Sequence, residues 1–330
     1  MSRATAWRFA LLIGVSIALL LAGQVVLPGF FSATQVANQL KIAAYLGLFG
    51  LSQTIAIAAG GQGLDLSVGA IATLGGIVGA ALMHGSDAAT PWAAIVAVIA
   101  GGAVGWLNGL GIAVLGIPPL VATLAMASVV NGGLIVFVSV LQPSSAASPL
   151  LVAIGGRALG QVPNIVIVWA LVSAVAIWLL ARSAWGRRLV STGANPVVAM
   201  LSGTNIRHVR IVAYVLSGAI AALTGFCLTG YVGQAFLGLG DAYILTSIVV
   251  AAIGGVVLAG GAAPYPAVIA AAIMMTVLVS LLTAINIGEA GRQIVFGATL
   301  LGFLVLDRYL AKARQRPRPA RAPVAAPVRP

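Results

Sequence analysis

Few side chains in this sequence can do chemistry, and those few are scattered. Asp65, Asp87, Asp241, Glu289 and Asp307 are the acids, His84 and His208 the histidines, and Cys227 the one thiol among 330 residues. All of these acids and histidines except Asp65 fall in or beside predicted loops. Acid–base or nucleophilic catalysis needs such groups to converge, and no HExxH, GxSxG, Walker A or paired-carboxylate spacing occurs. A lone cysteine allows neither an intrachain disulfide nor a cysteine metal cluster, and Cys227, in an apolar run, reads as buried filler. The residue inventory argues against an enzyme.

Three motifs remain. Asp65 stands in Gly60-Gly61-Gln62-Gly63-Leu64-Asp65-Leu66-Ser67-Val68-Gly69, where it suits an N-cap accepting from the first amides of a helix that begins at Leu66. The glycine-rich break around it also suits a gate, whereas an ion-coupled carrier needs its carboxylate near mid-membrane. The second motif follows the basic run Arg182-Ser183-Ala184-Trp185-Gly186-Arg187-Arg188. From Gly193 to Gly203, Asn195 at an N-cap, Pro196 at the first helical position and Gly203 past the end predict a helix of about two turns. Val197, Val198, Met200 and Leu201 make that helix apolar between cationic flanks, so it must lie on the membrane or dock onto a partner. The third motif is a set of breaks, Gly116-Ile117-Pro118-Pro119 and then Gly254-Gly255 and Gly260-Gly261 with Pro264 and Pro266. Unwound backbone at membrane depth is tolerated only where it is buried or lines a wet cavity; close glycine-mediated helix packing is the plainer reading of these positions.

The elements that position these motifs follow from composition. Hydrophobic residues make up 61% of the chain and charged residues 7%, where a soluble domain would carry about a quarter charged. At about 20 apolar residues per crossing, the length holds roughly eight to ten spans. Ten apolar segments are predicted near 9–27, 36–59, 66–83, 92–115, 119–141, 163–181, 211–231, 243–260, 265–285 and 291–307. The first is too long for a signal-peptide core and lacks a small-x-small cleavage site. Glycine- and alanine-rich spans let backbones approach closely, which gives an all-α, polytopic bundle.

The net charge of +12 orients this bundle; it does not mark a nucleic-acid binder. Arg3 and Arg8, the arginines between 182 and 210, and the tail with Lys312, Arg314, Arg316, Arg318, Arg321 and Arg329 all fall on one side if ten spans are counted. That side is the cytoplasm, with residues 1–8 and 308–330 inside, a transmembrane domain over 9–307 and a cytoplasmic loop over 182–210. The proline-rich tail reads as disordered. Lys41, near the outer end of the second span, is expected to snorkel to the interface.

At this point the chain resembles permease subunits of ABC importers for monosaccharides of the ribose, xylose and galactose type. Gly193 to Gly203, with Asn195-Pro196, resembles the family's cytoplasmic coupling segment. Leu64-Asp65-Leu66-Ser67-Val68-Gly69 resembles its "IDLSVG" block, and Ile253-Gly254-Gly255 through Gly260-Gly261 its late double-glycine block. Asn108-Gly109 and Ile117-Pro118-Pro119-Leu120-Val121-Ala122-Thr123-Leu124 resemble its "NG" and "PPFIxTL" blocks. The four blocks keep the family's order over residues 36–305. The chain departs where the family commonly has Glu, Ala and Arg at Val197, Val198 and Met200, an Arg at Asn131 and an Asp at Thr246.

The resemblance implies a type II importer-like fold of about ten helices and a permease subunit in a bacterial inner membrane. A second permease copy, an ABC ATPase subunit and a periplasmic or lipid-anchored solute-binding protein are the implied partners, with membrane lipid around them and no nucleic acid. ATP and Mg would belong to the ATPase, with no cofactor on this chain. The coupling loop would use Gly193, Asn195, Pro196, Ala199, Leu201 and Gly203. A gate or path would draw on Asp65, Ser67, Asn108, Pro118, Pro119, Thr123, Asn131, Gly254 and Gly255. Scarce intramembrane charge suits a neutral solute, most simply a monosaccharide; nucleosides, autoinducer-type sugars, branched-chain amino acids and an ion-coupled carrier stay open.

Overall fold

The computed structural model describes residues 3–159 and 162–314. Its order is α1 (Arg3–Val26), α2 (Ala33–Ala58), α3 (Val68–Met83), α4 (Thr90–Ala113), α5 (Pro119–Leu141), α6 (Pro149–Gly155), a hairpin of β1 (Arg157–Leu159) and β2 (Val162–Pro163), then α7 (Asn164–Arg182), α8 (Ala184–Ala194), α9 (Pro196–Leu201), α10 (Ile206–Val232), α11 (Tyr243–Ile253), α12 (Tyr265–Ala284) and α13 (Glu289–Arg314). Each of the ten predicted segments has its helix.

Seven of these helices, α1, α2, α4, α5, α7, α10 and α12, are long and apolar enough to cross a membrane. The expectation of ten full spans is thus met in helices but not in lengths. The eighth predicted span, 243–260, is an 11-residue helix that stops at Ile253. At 1.5 Å per residue it rises about 16 Å, roughly half a hydrocarbon core. Gly255, in the left-handed region at φ +91°, turns the chain out of the helix there. The third span begins at Val68, not Leu66, because residues 63–65 form no regular structure and 66–67 make a turn.

The connection between α5 and α7, residues 142–163, contains α6 and the β-hairpin. Two other expectations change. The basic ends are helical where they meet the bundle, since α1 starts at Arg3 and α13 runs to Arg314; the rest of the expected disordered tail, 315–330, lies outside the described residues. Lys41 rests its ammonium 5.6 Å from the centroid of the Tyr231 ring, a cation–π contact, which is a more specific anchorage than snorkelling.

Two helices organise the interior. α2 is buried almost continuously from Ala43 to Ala58, and α10 packs on α2, α3 and α4. Lipid offers helices no hydrophobic gain on pairing, so close backbone contact must hold them together. On α4, Gly101, Gly105 and Gly109 recur every fourth residue and face Gly218, Tyr214 and Ile211 of α10, where any added Cβ would overlap backbone. Tyr265 ties three helices at one point. Its hydroxyl donates to the Gly47 carbonyl at 3.2 Å and accepts from the Trp169 indole at 3.1 Å.

Candidate functional site

The segment 193–203 forms as its residue types require. Asn195 caps α9, its side chain accepting from the Val198 amide at 3.1 Å, and Pro196 takes the first position. Gly203 leaves the helix at φ +78° and donates to the Met200 carbonyl at 2.9 Å. The helix has six residues, short of two full turns, and an unforeseen helix, α8, leads into it. Ala199 faces inward at 2% exposure, while Val197, Val198, Met200 and Leu201 are 57–80% exposed. A short rigid element therefore shows an apolar face outward with one small residue at its root.

That element is joined to the bundle through glycines. A Cβ on Gly60 would lie 2.7 Å from the Gly193 Cα, and one on Gly261 2.6 Å from the Ala194 Cα. A Cβ on Gly193 would strike both the Ala58 carbonyl and the Gly261 amide, groups that are themselves bonded, Gly261 donating to Ala58 at 3.3 Å. Three backbones thus meet with no side chain between them: the end of α2, the end of α8 and the loop between α11 and α12. Arg210 on α10 reaches the same corner, its Nε donating to the Ala59 carbonyl at 3.5 Å.

Within the bundle, the Asp65 motif forms a second cluster. Asp65 is fully buried in the α2–α3 connection, and its Oδ1 accepts from the Ser67 amide at 3.0 Å and the Ser67 hydroxyl at 2.5 Å. Its Oδ2 accepts from the Ser217 hydroxyl of α10 at 2.9 Å. Asn108 of α4 donates to the Ser67 Oγ at 2.8 Å. Gln53 of α2 clasps the Asp65 backbone from both sides, donating to its carbonyl at 2.6 Å and accepting from its amide at 3.3 Å. Burial pushes the Asp65 carboxyl above the usual carboxylate range, and the hydrogen bonds from Ser67 and Ser217 pull it back. The expected N-cap is thus half right: Asp65 does accept the Ser67 amide, but the helix begins at Val68 and the carboxylate also binds α10. Asn108 Oδ1 and the Tyr214 hydroxyl, one turn from Ser217, are buried without a protein partner.

The other candidate gate residues divide. Thr123 joins the cluster, since its hydroxyl accepts from the Leu66 amide at 3.1 Å and lies 2.9 Å from the Pro119 carbonyl. Pro118 caps α5, and Pro119 begins it one turn before Thr123. Asn131 lies about two turns beyond Thr123 on α5, partly exposed and outside this cluster. Gly254 packs on Val268 of α12 and Gly255 against Arg8 of α1, so both serve close packing as the plainer reading expected. Sequence reasoning missed Gln53, Tyr214 and Ser217. The available signal was Arg210, Tyr214, Ser217 and Gly218 at helical spacing on one face of an otherwise apolar helix.

The two clusters share α2: Gln53 and Ala58 are five residues apart, about 7.5 Å along the helix. The arrangement can transmit displacement from an external apolar handle to a buried polar lock. Comparison with known proteins agrees with a transport subunit. The family model for the branched-chain amino acid transport system permease component matches residues 35–304. The chain is 29% identical to the galactose/methyl galactoside import permease protein MglC of Escherichia coli, over 85% of this chain and 88% of that protein. It is 28% identical to the fructose import permease protein FrcC of Rhizobium meliloti, over 89% and 83%. It is 27% identical to the autoinducer 2 import system permease protein LsrC of Shigella flexneri, over 88% and 85%. No solved structure matches the chain. With one family model spanning most of its length, the chain belongs to the family of branched-chain amino acid transport system permease components.

Proposed function

We propose that this chain is the membrane-spanning subunit of an ATP-driven importer and moves a small neutral solute, a monosaccharide, inward. The observation that carries the reading is the glycine joint at Gly60, Gly193 and Gly261, which roots an exposed apolar helix directly in the ends of buried elements. An ABC ATPase is the natural partner for that face: its closure would push α8 and α9, and the push would reach α2 and the 260–261 loop without a compliant side chain between. ATP and Mg stay on that ATPase. A solute-binding protein delivers the sugar from the opposite side, and a second permease copy completes the channel. The monosaccharide assignment rests on relatives named for galactose, fructose and autoinducer 2 import.

Two experiments test this. Reconstituted with its ATPase and binding protein, the chain should take up D-galactose or D-fructose only with ATP. Uptake by the chain alone under an ion gradient would sink the reading in favour of a secondary carrier. Replacing Pro196 or Gly203 by alanine should lower uptake per ATP hydrolysed about three- to tenfold, since losing the fixed φ of Pro196, or forcing alanine into the left-handed turn at 203, loosens a helix end by about 1 kcal/mol. Unchanged coupling in both variants would make α9 merely interfacial. Separately, the positive-inside bias of the basic clusters favours a cytoplasmic side for both termini. A phosphatase fused after Pro330, active only when exported, should be silent, and activity would reverse the orientation.

A further inference from the structure

A cavity of about 290 Å³ lies at the α8–α9 end of the bundle, between α1, α7, α8 and the start of α12. α1 packs chiefly on α12 and α7 on α2, both are only sparsely buried, and the cavity occupies the gap between them. Thr5 lines it from α1, Ile177 and Ala181 from α7, Val190 from α8, and Ala262 and Tyr265 from the loop before α12 and its first residue. The cavity adjoins the glycine joint, since Ala262 follows Gly261 directly and Val190 stands one turn before Gly193.

The lining offers hydrocarbon contact and no unmet polar side chain. The Tyr265 hydroxyl is committed to the Gly47 carbonyl and the Trp169 indole, and Thr5 is likewise partnered. A sugar would lose its hydration there with nothing to replace it. Charge gathers beside the cavity instead. Arg187 stands one turn before Val190 on the same face of α8, and its guanidinium donates back to the Arg182 carbonyl at 2.9 Å, next to Ala181. That bond uses one nitrogen of a group with five N–H donors. Arg182 is exposed at the end of α7, one turn beyond Trp178, which is 62% exposed. Trp7, two residues after Thr5 on α1, is 51% exposed. Exposed tryptophans of a membrane bundle sit at headgroup level. No Asp or Glu occurs on α1, α7 or α8 or in residues 254–266 to neutralise these arginines.

We infer that the cavity and these two arginines form a binding site for an anionic phospholipid of the adjoining leaflet, with an acyl chain in the cavity and the phosphate on Arg182 and Arg187. Basic pockets between membrane helices recognise anionic headgroups in this way, through charge at the interface and apolar contact beneath it. A free phosphate or an acidic protein would meet the arginines and leave the cavity empty. Phosphatidylcholine would fill the cavity, but it brings a choline cation up to the arginines. A chain seated here braces α8 against residues 262–263, beside the joint. The importer reading makes this leaflet the cytoplasmic one; the site itself stands without that reading, and its test does not require transport.

The test is native mass spectrometry of the full chain, released from micelles that hold equal amounts of dioleoyl phosphatidylglycerol and dioleoyl phosphatidylcholine. The chain should keep one phosphatidylglycerol about tenfold more often than one phosphatidylcholine, because each arginine near the surface favours the anionic headgroup. Arg182→Gln with Arg187→Gln should abolish that preference. Arg207→Gln, which removes an exposed arginine of α10 that does not line the cavity, should keep it. Ala181→Trp fills the cavity and leaves every arginine in place, so it should lose the retained lipid; Ala181→Phe replaces it if the larger ring prevents accumulation. Equal retention of the two lipids would overturn the inference. So would an equal loss of preference in Arg207→Gln, which would mean diffuse surface charge, or full retention in the Ala181 variants, which would put the chain elsewhere. Displacement of the lipid by excess inorganic phosphate would also overturn it, reducing the site to one for a bare anion.

Discussion

Gly193→Val is expected to reduce solute uptake more than tenfold in the assembled transporter while ATP hydrolysis continues. The cause is geometric. A Cβ at 193 meets the Ala58 carbonyl and the Gly261 amide, both main-chain groups bonded to each other, so neither can turn aside as a side chain would. Overpacking of this kind costs about 1–3 kcal/mol, and valine adds two further methyls. The least costly relief is to part α8 from α2 and the 260–261 loop, which is the contact through which a push on α9 would travel. Gly193→Ala should show the same loss in milder form, and it guards against a valine variant that fails to accumulate. Gly14→Ala on α1, where a Cβ meets nothing within 4 Å, is the control and should transport normally. Full uptake by Gly193→Val would mean that the joint is open in the working complex and that coupling runs elsewhere.

The same residues show how far the sequence could be read. Asn195, Pro196 and Gly203 announced their helix because capping is local: each residue type solves a problem posed by the backbone beside it. The order of the ten helices was readable for the same reason, since hydropathy and loop charge are properties of single segments. The joint was not. Gly60, Gly193 and Gly261 are glycines for what lies across from them, and a missing Cβ carries no trace of the backbone it admits. Gly254 and Gly255 looked equivalent to Gly260 and Gly261 in sequence, yet one pair packs on Val268 and Arg8 and the other meets Gly60, Gly193 and Ala194.

The span lengths failed for a related reason. Residues 254–260 are apolar enough to extend a helix, and only the left-handed turn at Gly255 ends α11 at Ile253. The Asp65 motif lies between these cases. Its acceptance of the Ser67 amide is local and was expected, whereas the bond from Ser217 spans 152 positions and depends on α10 crossing α3 and α4 at their glycines.

That long-range bond sets the second large effect. Asp65→Ala should destabilise the chain by about 2–4 kcal/mol, because it strands the Ser67 amide and two hydroxyls in a site closed to water and leaves the volume of a carboxylate empty. Asp65→Asn should cost less, about 1 kcal/mol. Its remaining carbonyl can still accept from Ser67, and Ser217 can turn its hydroxyl to an amide that now donates. Ser217→Ala removes two bonds, to Asp65 and to the Ser52 hydroxyl, and should cost at least as much as Asp65→Asn. Thermal unfolding of the full chain in detergent reads this order directly. Equal losses for Asp65→Asn and Asp65→Ala would show that the negative charge, not the hydrogen-bonding shape, is what the site requires. The orphaned Asn108 oxygen and Tyr214 hydroxyl would then have to be explained by a positively charged species held between them and Asp65. No loss in either variant would remove the cluster as a lock between α2, α3, α4 and α10 and leave the glycine crossings alone to hold these helices together.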